Sequence, residues 1–581
     1  MSNHFDVVIV GGGPGGSTLA GMLLKYQPKL KVLIIEREKF PREHVGESQL
    51  PQVSAVLNEL GIWDQVERAG FPVKIGGTYK WGQGDELWDF NFIPPEAFEG
   101  QVRPGKYEGV RHATAFQVDR AQYDDLLLRH AEKLGCTVWE GVAVRDAVHE
   151  NDTIHHLNLS NGEKVTARYY VDASGHVGVL RRSLGVEIDC PTVLKNIAIW
   201  DYWNNTGWAD TIGSGGTRVQ VISVGYGWLW FIPITPTRTS LGLVCPVNYY
   251  KSANKSPEQL YTEAIAASQR ITGFLEGATR ENVLRTTNDW SFVSERIYGK
   301  NWFLVGECAG FADPILSAGL TLTQVGGREL AYTIIALDEG KHDAEWLKSH
   351  YQQNQQKRVR QHMRFAEFWY AANGQFTDLR EHCREIAKES GLTLSAQKAW
   401  AWLAQGGFTN DVLGQAVIGG FDLTSLNQVT QRFMNEDLHW QANDRNIFRL
   451  QLNGATKTTI PDYRQGAIVS VPCYERNSKR LAITGVAQVV LLALSKASDI
   501  QNIMNVIQQL LVAKVPQVHH GIVMEQALQV LEVLVAEGWV AASLDESLPR
   551  LNISSPRDGE LIKDHSENWT RGHRNEMTEV A

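Results

Sequence analysis

Gly11, Gly13 and Gly16, inside GGGPGG, fall at the spacing G-x-G-x-x-G. At that spacing the first glycine permits a sharp turn, the second lets backbone approach a pyrophosphate, and the third lets a helix pack closely on a strand. Gly15 belongs to the same turn. Glu36 lies about 20 residues further on, where a carboxylate accepts from ribose hydroxyls, and Arg37 follows it. A carboxylate at that place repels a 2′-phosphate, which favours FAD or NAD over NADP. A second chemistry sits in KIGGTYKWG, where Lys74 and Lys80 are amines of equal parity that would share one face of a strand. Such an amine titrates lower when buried and serves as a donor or nucleophile, although a single lysine is more often a solvated surface charge. In YGWLWFIPI, Trp228 and Trp230 also share a face and Pro233 ends the ladder, a pattern that taken alone reads as core packing.

The elements around these residues support a nucleotide site. FDVVIV (5–10) is an apolar, β-branched run suited to a buried parallel strand, and STLAGMLLKY follows the glycines at helical period. The helix N-terminus then offers free N–H groups and a positive dipole end to phosphates. KVLII (31–35) is a second strand ending at Glu36, and YYVDASG (169–175) is a third, ending at Asp172.

Two of these segments resemble the flavoprotein monooxygenase superfamily. YYVDASG and WFLVGECAGFADPILSAG (302–319) look like its second and third dinucleotide-contacting segments, which implies FAD, with Asp172, Gly306 and Glu307 at the cofactor. The superfamily usually has Asp where Glu307 stands. AFQVDRAQYDDLLLRHA (115–131) resembles its helix entry, in which Arg120 approaches the flavin; the alternative is an amphipathic helix with a surface arginine. A narrower resemblance, covering roughly residues 1 to 345, is to the flavin-dependent halogenases. Trp228, Trp230 and Pro233 match W-x-W-x-I-P, and VGESQLP (45–51) matches the strap beside the flavin, bringing in Glu47 and Ser48. Lys74 takes the place of the catalytic lysine. FADPILSAG (311–319) matches the halide and flavin loop, with Ser317, Ala318 and Gly319 at the halide and Asp313 near the flavin, where a covalent link is conceivable.

The resemblance implies that FAD, reduced by a separate flavin reductase, works with dioxygen to oxidise a halide ion to hypohalous acid. Lys74 then holds the hypohalous acid or becomes a haloamine. No second dinucleotide fingerprint is apparent, which agrees with an external reductase. Leu316 stands where tryptophan halogenases carry a glutamate, so the expected substrate is phenol- or pyrrole-like, either free or tethered to a carrier protein. The alternatives are an aromatic hydroxylase or reductase on the same scaffold, or a flavin-binding scaffold without turnover.

Composition agrees with a large globular protein. The 581 residues are 43% hydrophobic and 21% charged, with net charge −9, which gives no basic field for nucleic acid. The six cysteines, Cys136, Cys190, Cys245, Cys308, Cys383 and Cys473, form no C-x-x-C pair and read as reduced, mostly buried thiols. No metal site is expected, because the His519 and His520 pair has no other ligand at matching spacing. The N-terminus runs straight into a strand and no apolar stretch reaches membrane-span length, so a cytoplasmic protein is expected. The expected fold is α/β: a Rossmann-like FAD-binding domain interleaved with a mainly antiparallel β-sheet substrate domain over residues 1–345. A mostly helical C-terminal region covers 346–581, with a long helical pattern beginning near Glu329, a β-rich insert near 446–471, and a polar tail from Ser554 expected to be mobile.

Overall fold

The computed structural model describes residues 4–81, 87–192, 194–208, 211–288, 290–372, 440–477, 479–512 and 520–552. The chain forms two compact units, Met1–Ser390 with Leu561–Ala581, and Gly391–Glu560.

In the first unit, the apolar run at the start becomes the strand His4–Val10, with Val7, Val8 and Ile9 wholly buried. It lies between Val32–Glu36 and Lys164–Asp172, parallel to both, in a seven-stranded sheet. Thr137–Glu140 and Trp302–Leu304 extend the parallel part, and Val144–Glu150 and Thr153–Leu159 form an antiparallel meander beside it. The strands carrying Val10, Glu36 and Asp172 therefore end at the same side of the sheet, where a doubly wound fold places its nucleotide.

The second sheet has nine strands and runs through Asn196–Asn204, Arg238–Pro246, Trp228–Pro233, Gly216–Ser223, Val73–Lys80 and Leu87–Asn91 in that spatial order. Its pairings are antiparallel except for Gly216–Ser223 against Val73–Lys80. One face is sealed by an apolar cluster in which Ile199, Ile222, Leu229, Phe231 and Leu243 pack against Leu260, Ile271 and Phe274 of two short helices. Residues of the other face line a large cavity.

The helical pattern read from Glu329 resolves into two helices, Gly319–Glu339 and Ala344–Ala372, separated at Gly340, whose φ of +63° ends the first in a left-handed cap. Glu329 itself is mid-helix and buried, accepting a fork from Arg358 at 2.6 and 2.8 Å.

In the second unit, Thr456–Arg464, Ala467–Arg476 and Lys479–Ala482 form a three-stranded antiparallel sheet, and Ile447–Leu450 pairs with Val540–Ser543. The strand segment thus extends to Ala482, beyond the expected insert. Gly485–Lys496, Ile500–Val512 and His520–Ala536 follow as helices around a core that includes Phe448, Val490, Ile503, Leu531 and Trp539. His519, Cys383 and the tail from Ser554 lie outside the described residues.

Candidate active site

The glycine turn is built as the spacing requires. Gly11 has φ +109°, and a Cβ on Gly16 would fall 2.0 Å from the Gly11 carbonyl oxygen, so the turn and the Pro14–Tyr26 helix can meet only with glycine there. Glu36, buried at the strand end, accepts from the Gly12 N–H at 2.7 Å and from the Glu38 N–H at 2.9 Å. Gly11, Gly13, Gly15, Glu36 and Arg37 all line a cavity of about 940 Å³.

The same cavity reaches the strap and the second sheet. Glu47 and Ser48 line it, as do Arg120, Gly306 and Glu307. Arg120 is buried rather than on the surface. It forks onto Asp124 at 2.7 and 2.9 Å and donates to the carbonyls of Val45 and Gly46 at 2.9 and 3.1 Å, pinning the strap. Glu47 accepts from the Tyr202 hydroxyl at 2.9 Å, and burial pushes its carboxyl above the usual range. Asp172 stands off the cavity wall: its carboxylate accepts from the N–H groups of Ser174, Leu180 and Arg181 at 3.1, 2.7 and 2.9 Å and from the Ser174 hydroxyl at 2.6 Å. It shapes the D-A-S-G turn from behind. Cys308 is wholly buried against it, and burial raises the thiol well above its ordinary range.

Two cavity residues carried no clear sequence signal. Arg42 lies over the Phe40 ring at 4.7 Å and pairs with Asp124 at 3.3 Å, and its guanidinium stands 3.2 Å from where a Gly13 Cβ would be. His44 is held down at about 4 by burial and by Arg120, so it is neutral at pH 7. Their place just before VGES was the available hint.

On the second sheet, alternation puts Ala198 and Trp200, Val219 and Val221, and Trp228, Trp230 and Ile232 on the cavity face. Gly242 lies directly opposite Trp230, and a Cβ there would sit 2.2 Å from the indole, so this glycine is what lets the ring lie across the neighbouring strand. The Trp230 N–H donates to Ser240 at 3.0 Å.

Lys74 is directly opposite Thr217, in phase with Val219 and Val221, and so belongs to the cavity face. Lys80 does not, contrary to the parity expectation. The register shifts between Thr217 and Arg218, leaving Ile75 as an extra residue; this bulge inverts the alternation and sets Lys80 opposite Ile222 on the sealed face. Lys74 is 3% exposed, lies 5.6 Å from the Phe92 ring centroid, and has no carboxylate partner among the described residues. Burial lowers its amine to about 7. It lies outside the wall of the large cavity.

The loop before the Gly319–Glu339 helix completes the site. Asp313 caps the short 3-10 turn Pro314–Leu316 through the Ile315 N–H at 2.9 Å, and Ser317 follows with φ +57°. Ser317 and Gly319 line the large cavity, whereas Asp313, Ala318 and Gly319 line an adjoining one of about 20 Å³, room for a single water-sized particle. Asp313 is raised to about 6 by burial.

FAD fits these residues. The glycine turn and helix N-terminus offer N–H groups to its phosphates, and the Ser48 hydroxyl and Trp200 N–H, on the cavity wall, are buried without a partner among the described residues. Among the described residues, no cluster of His, Cys, Asp and Glu is arranged for a metal, no helix is long and apolar enough to cross a membrane, and the cysteines are free, all buried except Cys190.

A parallel nucleotide-binding sheet and an aromatic-walled second sheet around one cavity define an FAD-dependent oxidoreductase of the halogenase type. The sequence matches the tryptophan halogenase family over residues 6–103 and 101–399, and the chain belongs to the flavin-dependent halogenases. It is 31% identical over 392 residues to a 1H-pyrrole-2-carbonyl-(peptidyl-carrier protein) chlorinase of Pseudomonas fluorescens, covering 65% of this chain and 86% of that protein. To the tryptophan 2-halogenase of Chondromyces crocatus it is 31% identical over 360 residues, 61% of this chain and 65% of the other. Among solved structures, the myxobacterial chondrochloren halogenase CndH is 27% identical with a TM-score of 0.57, covering 72% of this chain and 98% of that one. CmlS, a flavin-dependent halogenase 23% identical, shares the fold with a TM-score of 0.70 over 95% of this chain and 98% of its own.

Proposed function

We propose that the protein installs chlorine or bromine on an electron-rich aromatic ring, phenolic or pyrrolic, using reduced FAD, dioxygen and a halide ion. The observation that carries this reading is Lys74: a buried amine, with no counter-charge among the described residues, on the sheet face that also bears Trp200, Trp228 and Trp230. Reduced FAD, supplied by a separate flavin reductase, contributes with dioxygen the oxidising power that turns halide into hypohalous acid. Gly13 and Gly15 would hold its pyrophosphate by backbone N–H groups, with Arg42 beside them and Gly11, whose N–H donates to the Ile35 carbonyl at 2.9 Å, supplying the sharp turn. Glu36 and Arg37 would take the ribose end, and Glu47, Ser48, Arg120, Gly306 and Glu307 would frame the remainder, with Asp313 shaping the adjoining loop. Backbone N–H groups at Ala318 and Gly319, aided by the positive end of the helix they open, hold the halide, while Ser317, whose own N–H donates to the Pro314 carbonyl at 2.9 Å, closes the turn that presents them.

Lys74, with its amine near 7, is partly unprotonated at neutral pH. It can donate a hydrogen bond to the oxidised halogen or take it as a haloamine, and then present it to the ring. Leu316, in place of a glutamate, leaves ring activation to the substrate's own oxygen or nitrogen. Because the Pseudomonas relative is named for a carrier-bound pyrrole, both free and tethered substrates belong in the test. The experiment is mass spectrometry of the protein with FAD, a flavin reductase, NADH, oxygen, halide and a panel of free and carrier-tethered phenols and pyrroles. A halogen isotope pattern absent in Lys74→Ala is expected. A gain of one oxygen, independent of halide, would instead make the protein a hydroxylase.

A further inference from the structure

Trp228, Tyr370 and Asp313 form a hydrogen-bonded chain across three elements. The Trp228 indole N–H donates to the Tyr370 hydroxyl at 2.9 Å, and that hydroxyl donates to Asp313 Oδ1 at 3.0 Å. Asp313 also accepts from the Ile315 N–H at 2.9 Å and the Asn196 amide at 3.4 Å. Trp228 is 2%, Tyr370 1% and Asp313 5% exposed, so these bonds are made away from bulk solvent. The helix bearing Tyr370 is fitted to the loop by apolar contact as well: Val359 and Met363 pack with Ala312 and Val293.

This chain has a direction. A tryptophan N–H can only donate, so with it in place the tyrosine hydroxyl is left to donate its own proton to the carboxylate. Asp313 in turn holds the first N–H of the turn that leads into Ser317, so the backbone path of 313–319 depends on where this carboxylate sits. A charge-assisted bond is the stronger kind, and a buried one is costly to leave unmade.

We propose that Tyr370 is a positioning residue of the halogenation site, holding Asp313, and through it the turn at Ser317 and the N–H groups of Ala318 and Gly319, at a fixed place relative to the tryptophan strand. This rests on the reading of 317–319 as the halide site. Tyr370→Phe keeps the ring and removes both bonds. The expected result is a rise of about tenfold in KM for bromide, the size of a lost hydrogen bond to a charged group, with kcat at saturating bromide changed less than about twofold. The bromide-induced thermal shift of the protein, measured against sulfate at equal ionic strength, should need correspondingly more bromide. Trp228→Phe, which breaks the same chain at its other end, should give a rise of the same kind, and the double variant no more than the larger single effect.

Gly319→Ala separates the two readings, because its Cβ would fall 2.4 Å from the Phe311 ring and displace the loop directly. If Gly319→Ala raises KM for bromide while both Tyr370→Phe and Trp228→Phe leave it unchanged, the positioning role is wrong and the halide site stands. If Gly319→Ala leaves it unchanged, the halide reading itself fails. Should Tyr370→Phe not fold, the Trp228→Phe result decides alone.

Discussion

Burying the Lys74 amine has a thermodynamic signature that is independent of turnover. Its folded value of about 7 lies below the ordinary 10.5, so between those two pH values the unfolded chain binds more protons than the folded one. Stability therefore rises with pH across that window, and the full cost of the buried amine is felt below pH 7. Lys74→Met should stabilise the protein at pH 6 by on the order of a few kcal/mol, and by much less near pH 10. Denaturant unfolding at the two pH values checks this, and equal gains at both would mean that the amine is solvated. Gly16→Ala is the corresponding test at the nucleotide end. The contact it would make with Gly11 should abolish FAD retention during purification while leaving Lys74 untouched.

The strands and helices carry the site unequally. Gly242→Ala should push the Trp230 ring off its neighbouring strand, costing about 1–3 kcal/mol by overpacking and reshaping the aromatic wall. A drop in melting temperature together with altered product distribution would show both effects. The same elements show what could be read from sequence. The glycine turn, Glu36 and the paired tryptophans were legible because each depends on local spacing: period 3.6 in the helix, period 2 in the strand. The faces of Lys74 and Lys80 were not legible, since the bulge at Ile75 arises from parallel pairing with Gly216–Ser223, far along the chain. The bonding of Asp172 was not legible for a related reason. Its position at a strand end was visible, but that its oxygens turn back to the N–H groups of 174, 180 and 181 depends on a short helix the motif does not announce. Arg42 and Tyr370 reach their partners only through tertiary folding.

At the scale of the molecule, the second unit has its own core, with Phe448, Val490, Ile503, Leu531 and Trp539 among its buried residues. A fragment spanning 440–560 is expected to unfold cooperatively by itself, and the full chain to melt in two resolvable transitions; a single transition in calorimetry and a fragment without a melting transition would refute this.

Tyr370 also bears on how this enzyme can be cut and recombined. A chimera joined near residue 345 would inherit the glycine turn, Lys74 and both motif tryptophans, yet would draw the residue that meets Trp228 and Asp313 from the other parent. Where that parent lacks a hydroxyl at the matching place, the Trp228 N–H would face a gap. The unit that can be exchanged without a mismatched seam runs at least to the end of the Ala344–Ala372 helix.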